Sequence, residues 1–315
     1  MTAMIIGMFR WYSTKNRYRF ALLALNTIFF FGDFRWRIPE TTGVAVLSWN
    51  TASRPAKDKA NPRQECALKV LKEWLSEHNQ SVIMLQETRK FQEDLFSKRL
   101  GLSCSWSHYK DGCSSKWFCN GLMICLPKNW KKGRPLHRDF TNDSSYGFLQ
   151  LEATTPEGQT YNLMNLHLES LYNSARTFPA LSNKPNAAAA IKHLIKNAEL
   201  RTGLELLSKN AQTQRIQMDK IADVLRQLND PTIIAGDYNA PSAAWQHRWF
   251  RDDHQDAHRS TGRGFGNTTE RFGIIHSRID FLYADHKVRW SGPTRVLHKV
   301  ECSDHKPLTS WFEAR

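Results

Sequence analysis

The chain has 315 residues, 41% of them hydrophobic and 23% charged, with 17 Phe and 11 Trp, enough for a substantial core and unlike a disordered chain. Its formal charge is +14; residues 1–43 hold six basic and two acidic side chains, leaving 38 against 28 in the rest. Such a surplus draws polyanions, nucleic acid or anionic lipid, without choosing between them.

Lys15–Phe20 is basic and Ala21–Phe31 mostly apolar. The run is shorter than the roughly 20 residues a spanning helix needs. Residues 15–37 therefore read as an uncleaved anchor or interfacial helix at a membrane surface, with a cleaved signal or a packed helix as alternatives. An exported or membrane-associated location is favoured over a cytoplasmic one. The six cysteines, at 66, 104, 113, 119, 125 and 302, contain no Cys-x2-Cys pair and give little support to structural zinc. Disulfides among Cys104, Cys113, Cys119 and Cys125 are one expectation for an exported protein, and free thiols the other.

Val44 to Trp49 reads as a buried strand ending at Asn50. Cys66, Ala67, Val70, Leu71, Trp74 and Leu75 have helical spacing. Ser81 to Leu85 is the next buried strand and ends in Gln86-Glu87-Thr88, where a glutamate so near the core is costly unless it meets a cation. Asn120 to Leu126 reads as a strand. Lys128, Lys131, Lys132, Arg134, His137 and Arg138 follow around Trp130, either a phosphate-contacting loop or a solvated face. Phe148–Ala153 and Tyr161–Leu168 form an expected hairpin carrying His167, with Asn165 on the same face. Ala187–Lys209 and Gln214–Leu228 are expected as two helices. Thr232 to Ala235 is apolar and strand-like, and Gly236 turns the backbone so that Asp237 and Asn239 emerge together. Asp252–His258 reads as a solvated helix and loop. Gly262–Thr269 lacks the spacing of a nucleotide phosphate loop.

A carboxylate that orients or deprotonates water beside a carboxamide that can bind an anionic oxygen suits attack on phosphate. Asn50, Glu87, His167, Asp237-x-Asn239, Asp280 and Ser303-Asp304-His305 occur at successive strand or loop ends. In that order they resemble the endonuclease/exonuclease/phosphatase superfamily, with the DNase I-like fold, over roughly residues 44–315. The resemblance implies an α+β, four-layer sandwich of two mixed sheets with helices outside, following an extension of 1–43. It implies Mg2+, with Mn2+ possible, held by Asn50, Glu87 and Asp304, and catalysis by His167, Asp237, Asn239, Asp280 and His305, the last two paired. Inositol phosphatases and abasic-site endonucleases are disfavoured by the extended motifs. A monomeric nuclease acting on DNA or RNA is expected first, and a sphingomyelinase-like phospholipid phosphodiesterase at a membrane second. A noncatalytic binding module would be expected to lack part of this set.

Overall fold

The computed structural model describes residues 35–36, 41–52, 62–108, 121–140, 146–170, 199–271 and 275–315. The 15–31 segment, Cys113, Cys119 and the first part of the expected 187–209 helix lie outside them. In chain order the elements are β1 (Val44–Asn50), α1 (Pro62–Glu77), β2 (Ser81–Thr88), α2 (Lys90–Leu100), β3 (Leu102–His108), β4 (Gly121–Pro127), β5 (Lys131–Lys132), β6 (Leu136–Asp139), β7 (Gly147–Thr154) and β8 (Thr160–His167). They continue with α3 (Glu199–Leu225), β9 (Thr232–Asp237), α4 (Gln246–Asp253), β10 (His254–Asp256), α5 (Ala257–Thr261), β11 (Asp280–Asp285), β12 (Val288–Trp290), β13 (Arg295–Val296) and β14 (Leu308–Ala314). Two short strand pairs, Arg35–Trp36 with Arg263–Gly264 and Thr269–Arg271 with Ile275–Ser277, stand apart.

One sheet has the order β12-β14-β1-β2-β4-β3, with β13 also on β14; the other has β10-β11-β9-β8-β7-β5, with β6 also on β7. Each contains one parallel pair, β1 with β2 and β8 with β9. Strands buried on both faces read as unbroken apolar runs, and side-chain alternation explains where each residue goes. Val46, Met84 and Ile124 meet Leu149, Leu163, Ile233 and Leu282 between the sheets. Leu47, Ile83 and Met123 face α1 and α2 through Leu71, Trp74 and Phe96. Met164, Ile234 and Phe281 face α3 and α4 through Met218, Ile221 and Phe250. The layers run helix, sheet, sheet, helix, as the resemblance implies.

Two expectations are corrected. α3 runs unbroken through residues 209–214, because Asn210–Thr213 contains neither Gly nor Pro to stop it. Asp252–His258 is not a solvated stretch: Asp256 and His258 are buried, and Asp256 both accepts the His258 and Arg259 amides and takes two bonds from Arg278, at 3.0 and 2.6 Å. The basic run after β4, for which a phosphate-contacting loop and a solvated face were both open, lies at the far end from Glu87, since β4 starts opposite Thr88 and finishes opposite Leu102. That places Lys128 to Arg134 about 20 Å down the strand, at ~3.3 Å per residue.

Cys104 and Cys125 face each other across β3 and β4 and are joined, and a second disulfide links Cys66 of α1 to Cys302, at a separation of 236 residues. Pairing within the 104–125 cluster is one of the two expectations for these cysteines; the long-range bond is neither. Reduction should lower the unfolding free energy by about 2–4 kcal/mol, the usual effect of one bond closing a long loop. Urea midpoints with and without reductant check this, and identical midpoints would refute it.

His247 is buried on the inner face of α4, where Tyr283 donates to its Nδ1 at 2.9 Å and its Nε2–H donates to the Ala240 carbonyl at 3.1 Å. Burial pushes its pKa from 6.5 down to about 4. Because the folded value lies below the unfolded one, the contribution is intact above pH 6.5 and is lost as pH falls through 4. The loss amounts to about 3 kcal/mol. His247→Phe should flatten that part of the stability-versus-pH curve measured by urea unfolding; an unchanged slope would contradict the assignment.

Candidate active site

Parallel neighbours end on the same edge of a sheet, so both parallel pairs deliver their carboxyl-terminal residues to one place. β1 and β2 bring Asn50 and Glu87. β8 and β9 bring His167 and Asp237, directly opposite in register, and β11 begins with Asp280 on the other side of Asp237. The loop before β14 brings His305. At Gly236, φ is 151° and a Cβ would stand 2.0 Å from the Leu166 carbonyl oxygen; glycine alone lets β9 lie this close to β8 just before Asp237.

Asp237 Oδ2 is the focus. Asn50 Nδ2 donates to it at 3.0 Å, and His167 Nε2 and His305 Nε2 lie 3.5 and 3.6 Å away. Asn50 Nδ2 also donates to Glu87 Oε1 at 3.1 Å, so one amide spans two carboxylates. The Asn50 oxygen accepts the Ala52 amide at 3.0 Å, so it would act as a cation ligand only after the amide rotates. Asp237 Oδ1 accepts the Asn239 amide at 2.8 Å, while Asn239 Nδ2 donates to the Leu168 carbonyl at 3.0 Å. The carboxamide that the sequence aims at an anionic oxygen thus spends one hydrogen fastening the strand end beyond His167.

His305 Nδ1 donates to Asp280 at 2.9 and 3.1 Å. Burial alone would depress the ring's pKa, but Asp280 and Asp237 outweigh it and raise the value to about 10. Burial carries His167 the other way, to about 4. Burial also raises the Asp237 carboxyl, against the pull of His305. A cationic and a neutral imidazole therefore flank the same carboxylate. Asp304 is exposed and is held only loosely by Ser303, at 3.4 Å.

Several supporting groups escape a sequence reading. Ser303 donates to the Asn50 carbonyl at 2.8 Å and accepts the His305 amide at 3.1 Å, and the Trp49 indole donates to the His305 carbonyl at 3.0 Å. Thr268 accepts the Ile279 and Asp280 amides, each at 3.2 Å. Tyr146 sets its ring edge-on to His167, with centroids 5.0 Å apart. Ser303 and Trp49 sit in motifs whose neighbours carry the signal, while Thr268 and Tyr146 carry no local tag.

The donor set suits a hard divalent cation. Glu87 is half-buried and stands at φ 52°, a left-handed conformation that a non-glycine residue adopts at a cost and often at functional sites. Asp237, Asp280 and His305 form a second candidate group, with one ligand atom each within 4.8 Å. Glu87 is the better anchor because both Asp280 oxygens are already engaged by the protonated His305 ring.

The profile of the endonuclease/exonuclease/phosphatase family matches residues 47–305, spanning every one of these groups. The chain belongs to that family. Its members hydrolyse phosphoester bonds, typically with a metal ion, and the chain is a hydrolase of this superfamily. A family member from Bacteroides vulgatus is similar at TM-score 0.63 and 14% identity, over 87% of this chain and 100% of that one. A Bacteroides thetaiotaomicron mannosyl-6-phosphatase gives 0.61 and 13%, over 86% and 99%. D. rerio TDP2 complexed with a single-strand DNA product gives 0.58 and 16%, over 87% and 100%. No curated protein matches the sequence.

Proposed function

We propose that the protein is a Mg2+-dependent phosphodiester hydrolase acting on DNA or RNA. The observation that carries the reaction class is the convergence of Asn50, His167 and His305 on Asp237 Oδ2. A cation bound at Glu87, with Asn50 and Asp304 nearby, would neutralise charge developing on the phosphate. Asp237 accepts a proton from, or orients, the attacking water. His305, kept cationic and aligned by Asp280, donates Nε2–H toward a phosphate oxygen or the leaving oxygen, and neutral His167 holds the opposite side. Asn239 keeps one amide hydrogen for the phosphate.

The net charge of +14 supports a polyanionic substrate, and the similar TDP2 structure holds a single-strand DNA product. A phospholipid phosphodiesterase is the second reading, favoured by the basic and apolar 15–37 segment. The disulfides Cys66–Cys302 and Cys104–Cys125 support maturation in an oxidising compartment under either reading. Incubation with plasmid DNA, RNA and sphingomyelin, each with Mg2+ or EDTA, separates them. Nucleic-acid cleavage that EDTA stops is the expected result; cleavage of sphingomyelin alone would replace the nuclease reading with the lipid one. Glu87→Ala should reduce the Mg2+-dependent turnover by at least ~10²-fold, and full activity in that variant would remove Glu87 from the reaction.

A further inference from the structure

The groups in the site belong to two different sheets, and nothing in either hydrogen-bond ladder sets the distance between them. Asn50 and Glu87 stand on the first sheet and His167, Asp237 and Asp280 on the second. Above, Asn50 reaches Asp237 across the gap; one layer beneath, the Asn165 side chain crosses it as well. Asn165 of β8 donates one amide hydrogen to the Leu85 carbonyl of β2 at 2.8 Å and the other to the Met123 carbonyl of β4 at 2.9 Å, and its oxygen accepts Gln86 Nε2 at 2.7 Å. Gln86 Nε2 also lies 3.3 Å from Ser48 of β1. Asn165 and Gln86 are both wholly buried.

These partners are not scattered. The β2–β4 register shifts between Leu85 and Thr88: Leu85 pairs with Met123 and Thr88 with Gly121, so Gln86 and Glu87 together oppose Leu122 alone. Two residues against one is a β-bulge, a device that re-aims a side chain. Glu87 is its second residue and carries the left-handed φ of 52°. The two carbonyls capped by Asn165 belong to the pair at the start of this break. On its own strand Asn165 precedes His167 by two residues and shares its face, and it lies in register with Ala235 as His167 does with Asp237.

We infer that Asn165 is a positioning residue: with Gln86 it forms a buried polar strut that fixes the Glu87 bulge of one sheet against the His167–Asp237 layer of the other. The inference rests on Glu87 and Asp237 being the working carboxylates. An apolar core would hold the sheets together as well as these amides do, because paired buried amides give little net stability; what an amide adds is a fixed register between the two halves of the site. Removing the strut should therefore impair metal binding and turnover more than folding.

The test uses the full chain and three variants, Asn165→Leu, Gln86→Met and Glu87→Gln. Each is assayed for kcat and KM on bis(p-nitrophenyl) phosphate with Mg2+, for Mn2+ affinity by calorimetry, and for amide hydrogen exchange over residues 85–88. For Asn165→Leu we expect kcat and Mn2+ affinity each to fall about 10–100-fold, the range for outer-shell partners of a metal site, with KM within about threefold and faster exchange at Glu87 and Thr88. Gln86→Met, which spares the two carbonyl bonds, should show the same changes at a smaller size, and supports or overturns the inference alone if Asn165→Leu does not fold. Native kcat, Mn2+ affinity and exchange in folded Asn165→Leu, with Glu87→Gln inactive, would overturn the strut and leave the site reading standing. An active Glu87→Gln would overturn the site reading itself.

Discussion

Asp237→Asn should lower kcat by at least ~10²-fold, the scale for losing one preorganised group at a reacting centre, and should leave a folded protein. The change is isosteric and keeps Oδ1 for the Asn239 amide. At the other position an NH2 would replace the oxygen that now accepts Asn50 Nδ2 at 3.0 Å and faces the cationic His305 ring at 3.6 Å and His167 Nε2 at 3.5 Å. Donors would confront a donor, the negative charge would vanish, and no group at that point could accept a proton from water. His305 would also lose one of the two carboxylates that raise its pKa. Circular dichroism would verify the fold beside the kinetic assay, and turnover within threefold of the parent would show that the chemistry is centred elsewhere.

Arg278→Leu should lower the unfolding free energy by about 3–5 kcal/mol, the cost of leaving one partner of a buried ion pair alone. The Arg278 and Asp256 side chains are almost completely enclosed, and the guanidinium lies 4.4 Å from the centre of the Phe281 ring. Burial by itself would raise the Asp256 carboxyl; the adjacent guanidinium overrides it and holds the group below its ordinary value. Without Arg278 the carboxylate that caps α5 must stay charged against the more distant Arg259 Nε, at 3.7 Å, or take up a proton. Asp256→Asn added to Arg278→Leu should recover part of the loss. A change under about 1 kcal/mol in urea unfolding of the single variant would mean that the pair carries none of the weight its burial implies.

What the sequence discloses follows from how local each signal is. Asn50, Glu87, His167 and Asp237 are legible because each directly ends an apolar run, so strand and functional group sit in one short word. The β7–β8 hairpin is legible for the same reason, with Thr155-Pro156-Glu157-Gly158 between its arms. Asp256 looks solvated in sequence because its pairing with Arg278 spans 22 residues and depends on β10 lying against β11. The Cys66–Cys302 connection cannot be deduced from spacing at all. Asn165 could be placed on the face of His167 by alternation, yet its partners on the opposite sheet could not. The α3 boundary failed for another reason, since a polar stretch alone does not stop a helix.

The strand order also bears on how the enzyme is made. β5 to β11, the whole second sheet, come from the continuous stretch 131–285, while the first sheet is begun by residues 44–127 and finished only by β12 to β14 of residues 288–314. During synthesis, which releases N-terminal segments first, β1 must wait for β14 with an open flank. His305 leaves the ribosome just ahead of β14, so a nascent chain carries no assembled catalytic centre until the stretch that holds residue 305 has emerged.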